Sequence, residues 1–439
     1  MSIESYHQQE ARQKRLLPVV IISVLAAWLV IGASSSAHAG SREQAKRIHD
    51  RLAGVPPTAE ILNCMELMIN SENNDPTSND CPDSNTDNDA EGAAQLAMTH
   101  PDFYRVTLKN FITPWTNEEQ TVFAPLNDYT ATVIGIIRDD IDFREILYGD
   151  ILYVGSPNTY SDTSNAHYEN LENTNTDLSD ITELVATTQS AVTSISAPAG
   201  IFTTRAAAKA FFVDGTNRAM FRFTLLNHLC TDLEQIKDTT RSPDRVRQDV
   251  SRSPGGDSRI YMNACVGCHA GMDPMAQAFA YYDYEYPLDP DNNNEPLYEQ
   301  GQIVFNTTND LDPGGADTGT RVQYKYHINE KNFEYGYRTP NDSWDNYWRY
   351  GPNSVMGWGW ATGTSTTGSG TGAASMGREL ADSYAFAQCQ VEKVFENVCL
   401  RSPANAADRT QIDAMITNFS TGYNLKDVFA ESALYCRGS

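Results

Sequence analysis

Basic side chains are scarce in this chain. Lysine and arginine number 32 against 57 aspartates and glutamates over 439 residues, a net charge of −25. A surface of that sign repels phosphate backbones and anionic lipid, so nucleic acid is not an expected partner; it suits a basic partner protein, and the plainer reading is that it keeps an exported protein in solution. Long apolar runs are scarcer still. Leu16 to Ala33 is the single run of bilayer length, and nothing after it matches. A chain cleaved beyond that run is not expected to cross a membrane. There is no Gly-x-Ser-x-Gly elbow, no His-Glu-x-x-His pair and no internal repeat. These absences remove the signatures of serine hydrolases, zincins and solenoids. Gly368, Gly370 and Gly372 follow no strand pattern and read as a linker rather than a phosphate loop. No catalytic carboxylate pair stands out, and no catalytic residue is assigned.

What is present begins with an export signal. Arg12, Lys14 and Arg15 precede the apolar run, and Ala37-His38-Ala39 follows it with small residues where a signal peptidase reads. Residues 1–39 are predicted to be a cleaved signal peptide, with an uncleaved anchor as the alternative. Removing them, with their three bases and two acids, leaves 29 basic and 55 acidic side chains. The expected location is the periplasm, or the cell surface and beyond. The rest of the chain reads as mainly α, a multi-helix fold. Helical periodicity runs over Arg42–Leu52, Thr58–Ile69, Ala90–His100, Phe103–Phe111, Thr130–Asp139 and Ala206–Leu229. Gly377–Leu400 reads as one long helix, followed by helices near 407–420 and 425–436. Residues 155–200 are rich in Ser, Thr and Asn and are predicted to be mostly loop, and 287–373 form a long irregular excursion rich in glycine and aromatics. The regions predicted are 40–126, N-terminal and helical; 127–257, a helical domain; 258–373, a module with the long excursion; and 374–439, a C-terminal helical domain.

Eight cysteines occur, at 64, 81, 230, 265, 268, 389, 399 and 436. Six lie outside the 265–268 pair, an even number in an exported chain, so three disulfides are expected. Cys389 and Cys399 on one helix would stand about 15 Å apart, beyond the reach of about 7 Å that a bridge tolerates. An up-down-up arrangement of the last helices brings Cys399 to Cys436. Cys64–Cys81 is the local pair, and Cys230–Cys389 follows by elimination.

Cys265-Val266-Gly267-Cys268-His269 is a C-x-x-C-H motif. Thiols at i and i+3 can add across the two vinyl groups on one edge of a porphyrin, and the adjoining imidazole then ligates the iron. The motif predicts one covalent haem c, with Cys265, Cys268 and His269 as cofactor-binding residues and His269 as an iron ligand. A zinc site would want a second Cys/His pair, and a redox dithiol a βαβ setting; neither is present. A single motif argues against multihaem wires and two-haem peroxidases. The second axial ligand must reach the far face of a ring roughly 10 Å wide, and a three-residue link spans about 10 Å at full stretch. That removes Met272 and disfavours Met275. Met356, in a Gly-flanked loop 87 residues after His269, is the assigned metal ligand. Packing against Trp358 and Trp360 is its competing role. His327 and His167 are the other candidates, and a vacant position stays open. His228, beside Cys230, reads as a buried helix histidine.

Two further features weigh towards the bland. Residues 324–360, with Tyr324, Tyr337, Trp344, Trp348, Trp358 and Trp360 among their aromatics, read as a core or pocket wall under a long loop rather than a sugar platform. Asp83 to Asp89 and Asp289 to Asn293 alternate oxygen ligands, but both lack the glycine and the glutamate of a calcium loop, so they read as solvated acidic loops.

The segment from Ile260 through Cys265, Cys268, His269, Asp273-Pro274, Gln277, Phe279 and Tyr282-Asp283 resembles the haem module of a group of bacterial single-haem c-type cytochrome-like proteins, whose CxxCH module sits between uncharacterised helical domains. Ala199–Thr203 and Asn217-Arg218 to Cys230 resemble the segment before that module, and Gly377–Ser383 with Phe386–Cys389 its C-terminal helical domain. The resemblance covers about half the chain, 127–286 and 374–439. It implies haem c and export and carries no defined reaction. The expected function is electron transfer with a redox partner protein. The alternatives are a haem enzyme of peroxidase or oxygenase type with an open sixth position, and a surface-binding or scaffold protein in which haem is accessory.

Overall fold

A computed structural model of the protein describes residues 39–70, 81, 89–212, 217–292, 295–321, 336–361, 363 and 366–438. Residues 1–38, where a signal peptide is expected, His327, Asp83 to Asp87, Asn293, Tyr324, Tyr326, Phe333 and Tyr335 lie outside them. The fold is mainly helical. Helices of seven residues or more run α1 Ser41–Leu52, α2 Ala59–Asn70, α3 Ala90–Met98, α4 Asp128–Arg138, α5 Ala166–Asn173, α6 Arg205–Phe211, α7 Arg218–Leu229, α8 Val266–Ala276, α9 Ala373–Ala381, α10 Tyr384–Cys399, α11 Ala406–Phe419 and α12 Leu425–Tyr435. Among the described residues no helix is long and apolar enough to cross a membrane.

The ends of the described chain share one helical bundle. α10, α11 and α12 pack together, and α12 also lies against α1 and α3. Arg51 on α1 donates to the Cys436 carbonyl at 2.6 Å. The middle of the fold is built round α4, whose residues are all buried. Its sequence explains both its position and its start. Val133, Ile134, Ile136 and Ile137 give it an apolar stripe, its polar side chains Asp128, Thr132 and Arg138 are buried as well, and Asn127 caps it by accepting from the Thr130 amide at 3.0 Å. Asp128 then accepts the Arg205 and Ala206 amides at the start of α6, which ties the two helices together.

Residues 155–200 are mostly loop, as expected, but they also hold α5 and one strand of an antiparallel hairpin, β1 Leu152–Gly155 with β2 Leu184–Thr187, in register Leu152↔Thr187. One sequence reading needs correction. The helix read over 377–400 is two. α9 stops at Ala381, and the Ser383 hydroxyl, in extended backbone, accepts the Phe386 amide to start α10. Capping chemistry outweighed the unbroken periodicity. The three disulfides are Cys64–Cys81, Cys230–Cys389 and Cys399–Cys436, the pairs expected.

The excursion is irregular, as expected, with short strands pinning it. β3 Tyr282–Glu285 pairs antiparallel with β6 Gln302–Phe305, β4 Leu288–Asp289 with β5 Glu295–Pro296, and β7 Ser343–Asp345 with β8 Ser369–Thr371. Its later part is fastened to α9. Trp344 Nε1 donates to Ser375 at 2.7 Å, and buried Glu379 accepts from Asn346 and from Arg349. One apolar core draws residues from all four regions of the chain. A second, small cluster of Val246, Val250, Tyr261 and Val266, with Cys265 against it, lies apart. α8 runs between the two. Gly271 on its back faces fully buried Trp348, where a Cβ would fall 2.1 Å from the indole nitrogen. Gly271→Ala is therefore expected to lower the unfolding free energy by about 1–3 kcal/mol, the usual cost of overpacking. Denaturant titration of both proteins checks it, and an unchanged midpoint would refute the contact.

Candidate functional site

The C-x-x-C-H segment starts with a cap. Asp257 accepts the Arg259 amide at 2.9 Å and opens a short helical turn, Ser258–Ile260. A π turn, Tyr261–Cys265, follows and feeds directly into α8. Such wide turns recur where a side chain must be re-aimed at a functional site. Helical spacing keeps the thiols of Cys265 and Cys268 roughly 60° apart round the axis, with His269 adjoining. Both thiols are half-buried and free, whereas the other six cysteines are bridged. Burial, with the charge of Glu234 behind it, pushes the Cys268 thiol up, so it stays protonated and donates to the Leu233 carbonyl.

His269 is oriented from below. Its Nδ1 lies 3.1 Å from Asp273 Oδ1, one turn further along α8. The Asp273 side chain is fully buried. It also accepts from Arg218 Nε at 3.2 Å and from the Arg247 amide at 3.2 Å. Burial alone would raise its carboxyl; Arg218 foremost, then His269 and Arg247, override burial and hold it well below the ordinary carboxylate range. An anionic acceptor makes Nδ1 the donor, and Nε2 has no hydrogen-bond partner among the described residues. Arg218 and Arg247 both continue to Asp249, at 2.9 Å and 3.0 Å. The whole is a neutral quartet of two arginines and two aspartates. The Tyr261 ring stands 6.5 Å from the imidazole, and the Arg252 guanidinium lies over the Tyr261 ring at 5.5 Å.

This donor set fits haem c attachment: two free thiols at i, i+3 on one flank and an imidazole whose one nitrogen is spent and the other free. Among the described residues no group of three or more His, Cys, Asp or Glu side chains could hold a bare metal ion.

The sixth-ligand candidates are placed elsewhere in the fold. His167 uses both ring nitrogens, Nε2 accepting the Gly155 amide at 2.8 Å and Nδ1 bonding Thr159 at 2.7 Å. It is a buried structural histidine at the β1 hairpin. Met356 ends a short helical turn, Pro352–Met356, and is buried in the main core. That turn contacts the Tyr347–Arg349 turn, whose Trp348 abuts Gly271, roughly 200° round α8 from His269. Met272 and Met275 are likewise sealed in the main core. His228 is buried, as its sequence setting implies, with Nε2 2.9 Å from the Tyr129 hydroxyl. Aspartates 289 and 89 behave as ordinary turn and cap residues: Asp289 accepts the Asp291 amide, and Asp89 accepts Glu91 and Gly92 at the start of α3.

Asp273, Arg218, Arg247 and Asp249 escaped assignment from sequence. The His269–Asp273 spacing of i, i+4 was a visible signal; Arg218 and Asp249, 55 and 24 residues from Asp273, gave none. No family model, no curated protein and no solved structure matches the chain.

Acid sensitivity follows from the histidines outside the site. Burial lowers His167 and lowers His228 far below the ordinary value of 6.5. Below pH 6.5 the unfolded chain binds protons that the folded chain does not, so stability is complete above that pH and declines as pH falls. Each such histidine contributes up to about 1.4 kcal/mol per pH unit. Chemical denaturation between pH 7.5 and 5 should show that decline, and His228→Gln should flatten it. Equal slopes in the two proteins would exclude His228 as a source.

Proposed function

We propose that the chain is an exported c-type cytochrome that carries one haem, bound through Cys265 and Cys268 and ligated by His269, and that it exchanges electrons with a redox partner protein. The observation that carries this reading is the pairing state of the cysteines. Six thiols are bridged across the fold, as suits an oxidising compartment, and two, three residues apart, stay unbridged beside an imidazole that meets Asp273 through Nδ1. When bound, haem supplies one-electron iron chemistry. Cys265 and Cys268 would hold the group and His269 would ligate its iron, beside the small apolar cluster of Val246, Val250, Tyr261 and Val266 against which Cys265 packs. The exposed side chains of Ile260 and Met262 flank the attachment segment, a surface through which a partner could approach. The net negative charge favours a basic one.

A second reading, a haem enzyme with an open sixth position, is favoured by one observation: His167, Met272, Met275 and Met356 are all engaged by the protein itself. His327 lies outside the described residues.

The optical spectrum of the purified protein, oxidised and reduced, with and without carbon monoxide, tests both. A covalent haem with a low-spin spectrum indifferent to carbon monoxide is expected for the cytochrome. Ready carbon monoxide binding would transfer the assignment to the enzyme. Cys265→Ala with Cys268→Ala should abolish covalent attachment while leaving the three disulfides intact. A wild-type protein with no covalent haem would overturn the proposal altogether.

A further inference from the structure

We infer that Asp273 is a positioning residue that fixes the tautomer and direction of His269 and biases the bound iron towards its ferric state; this rests on the haem reading above. A His–Asp contact at i, i+4 on an exposed helix face would be an ordinary surface pair worth a few tenths of a kcal/mol. This one differs in three respects. The carboxylate is wholly buried, so it cannot rotate out to water. It is itself held by the Arg218 Nε and the Arg247 amide, from parts of the chain 55 and 26 residues away, so its direction is set before the imidazole meets it. And one oxygen, Oδ1, is shared by His269 and Arg218, so the two donors compete for the same lone pairs.

The consequence for His269 is chemical. An imidazole that donates Nδ1–H to an anion gains electron density, and its Nε2 becomes the more basic ligand. A more basic axial nitrogen stabilises the higher iron charge, which lowers the reduction potential. Arg218 moderates the effect by drawing on the same oxygen. The quartet as a whole is neutral, two arginines against two aspartates. Its influence therefore passes through the hydrogen bond rather than through a net field at the site.

That distinction makes the test. The midpoint potential is measured by spectroelectrochemistry on the full, haem-loaded protein for wild type, Asp273→Asn, Asp273→Glu and Asp249→Asn. Asp273→Asn is expected to raise the potential so that, at a fixed poise, the ferric-to-ferrous ratio falls at least tenfold, about 59 mV for a one-electron couple. Asp273→Glu should recover much of the shift. Asp249→Asn makes the same charge change one partner further away and should move the potential far less. Equal shifts in Asp273→Asn and Asp249→Asn would mean a plain charge effect and would overturn the assignment, as would no shift in either. Hydrogen exchange of the His269 Nδ1 proton in the wild type needs no variant to fold: slow exchange is expected, and exchange at the rate of an exposed imidazole refutes the contact. Haem staining of the wild type on a denaturing gel separates the two levels. Without covalent haem both proposals fail; with it, an unmoved potential removes this one alone.

Discussion

Two aspartates and two arginines meet beneath α8 with little or no exposed surface: Asp273 and Asp249 at 0% and 2%, Arg247 at 3% and Arg218 at 22% of their side chains. Charges taken out of water at that depth are tolerable only if each meets an opposite charge and a full set of hydrogen bonds. Removing one partner of such a set typically costs about 3–5 kcal/mol. The requirement fixes several things together. α7 must start at Arg218, the connector carrying Arg247 and Asp249 must fold beneath the haem-motif helix, and Asp273 must turn inwards. Once these are satisfied, Asp273 Oδ1 stands 3.1 Å from His269 Nδ1 as its acceptor. The orientation of the imidazole is thus a by-product of solving a charge-burial problem.

α8 serves two cores at once. Its back, through Gly271, closes on Trp348 with no room for a methyl group, and Met272 and Met275 fill the main core beside it. Its front carries His269 and the thiols. The irregular excursion after the helix is held to this arrangement by polar contacts, among them Trp344 to Ser375, Arg349 with Asn346 to Glu379, and Asn353 to the Ile236 carbonyl. The Cys230–Cys389 bridge fastens the C-terminal end of α7 to α10. A segment poor in regular structure can position side chains in this way because backbone groups left over from missing helices and strands are satisfied by local turns, while a handful of anchors set its path.

The readings that succeeded rested on local rules. Apolar periodicity located α1, α11 and α12 to within a residue or two, because a helix on a core must show its buried stripe in sequence. The disulfide pairs followed from reach and from antiparallel packing, both geometric. Failures came where a single side chain outvoted a pattern. Ser383 cut one expected helix in two, and polar composition hid α5 and the β1–β2 hairpin, whose strands pair across some thirty residues that periodicity cannot see. Met356 drew notice as an iron ligand for its Gly-flanked loop 87 residues after His269, and His167 as a further candidate. Their placement, one in the main core and one with both nitrogens bonded, depends on neighbours far away in the chain.

By itself the sequence determined the spacing on which the haem proposal rests: two thiols at i, i+3, an imidazole beside them, and six further cysteines to be bridged. These are properties of covalent spacing and survive any fold that makes a helix at 266–276. Only the tertiary structure decided how that imidazole is held. Asp273 becomes an anionic acceptor because Arg218 and the Arg247 amide reach it from distant segments, and a carboxyl's charge state is a property of its surroundings, not of its place in the chain.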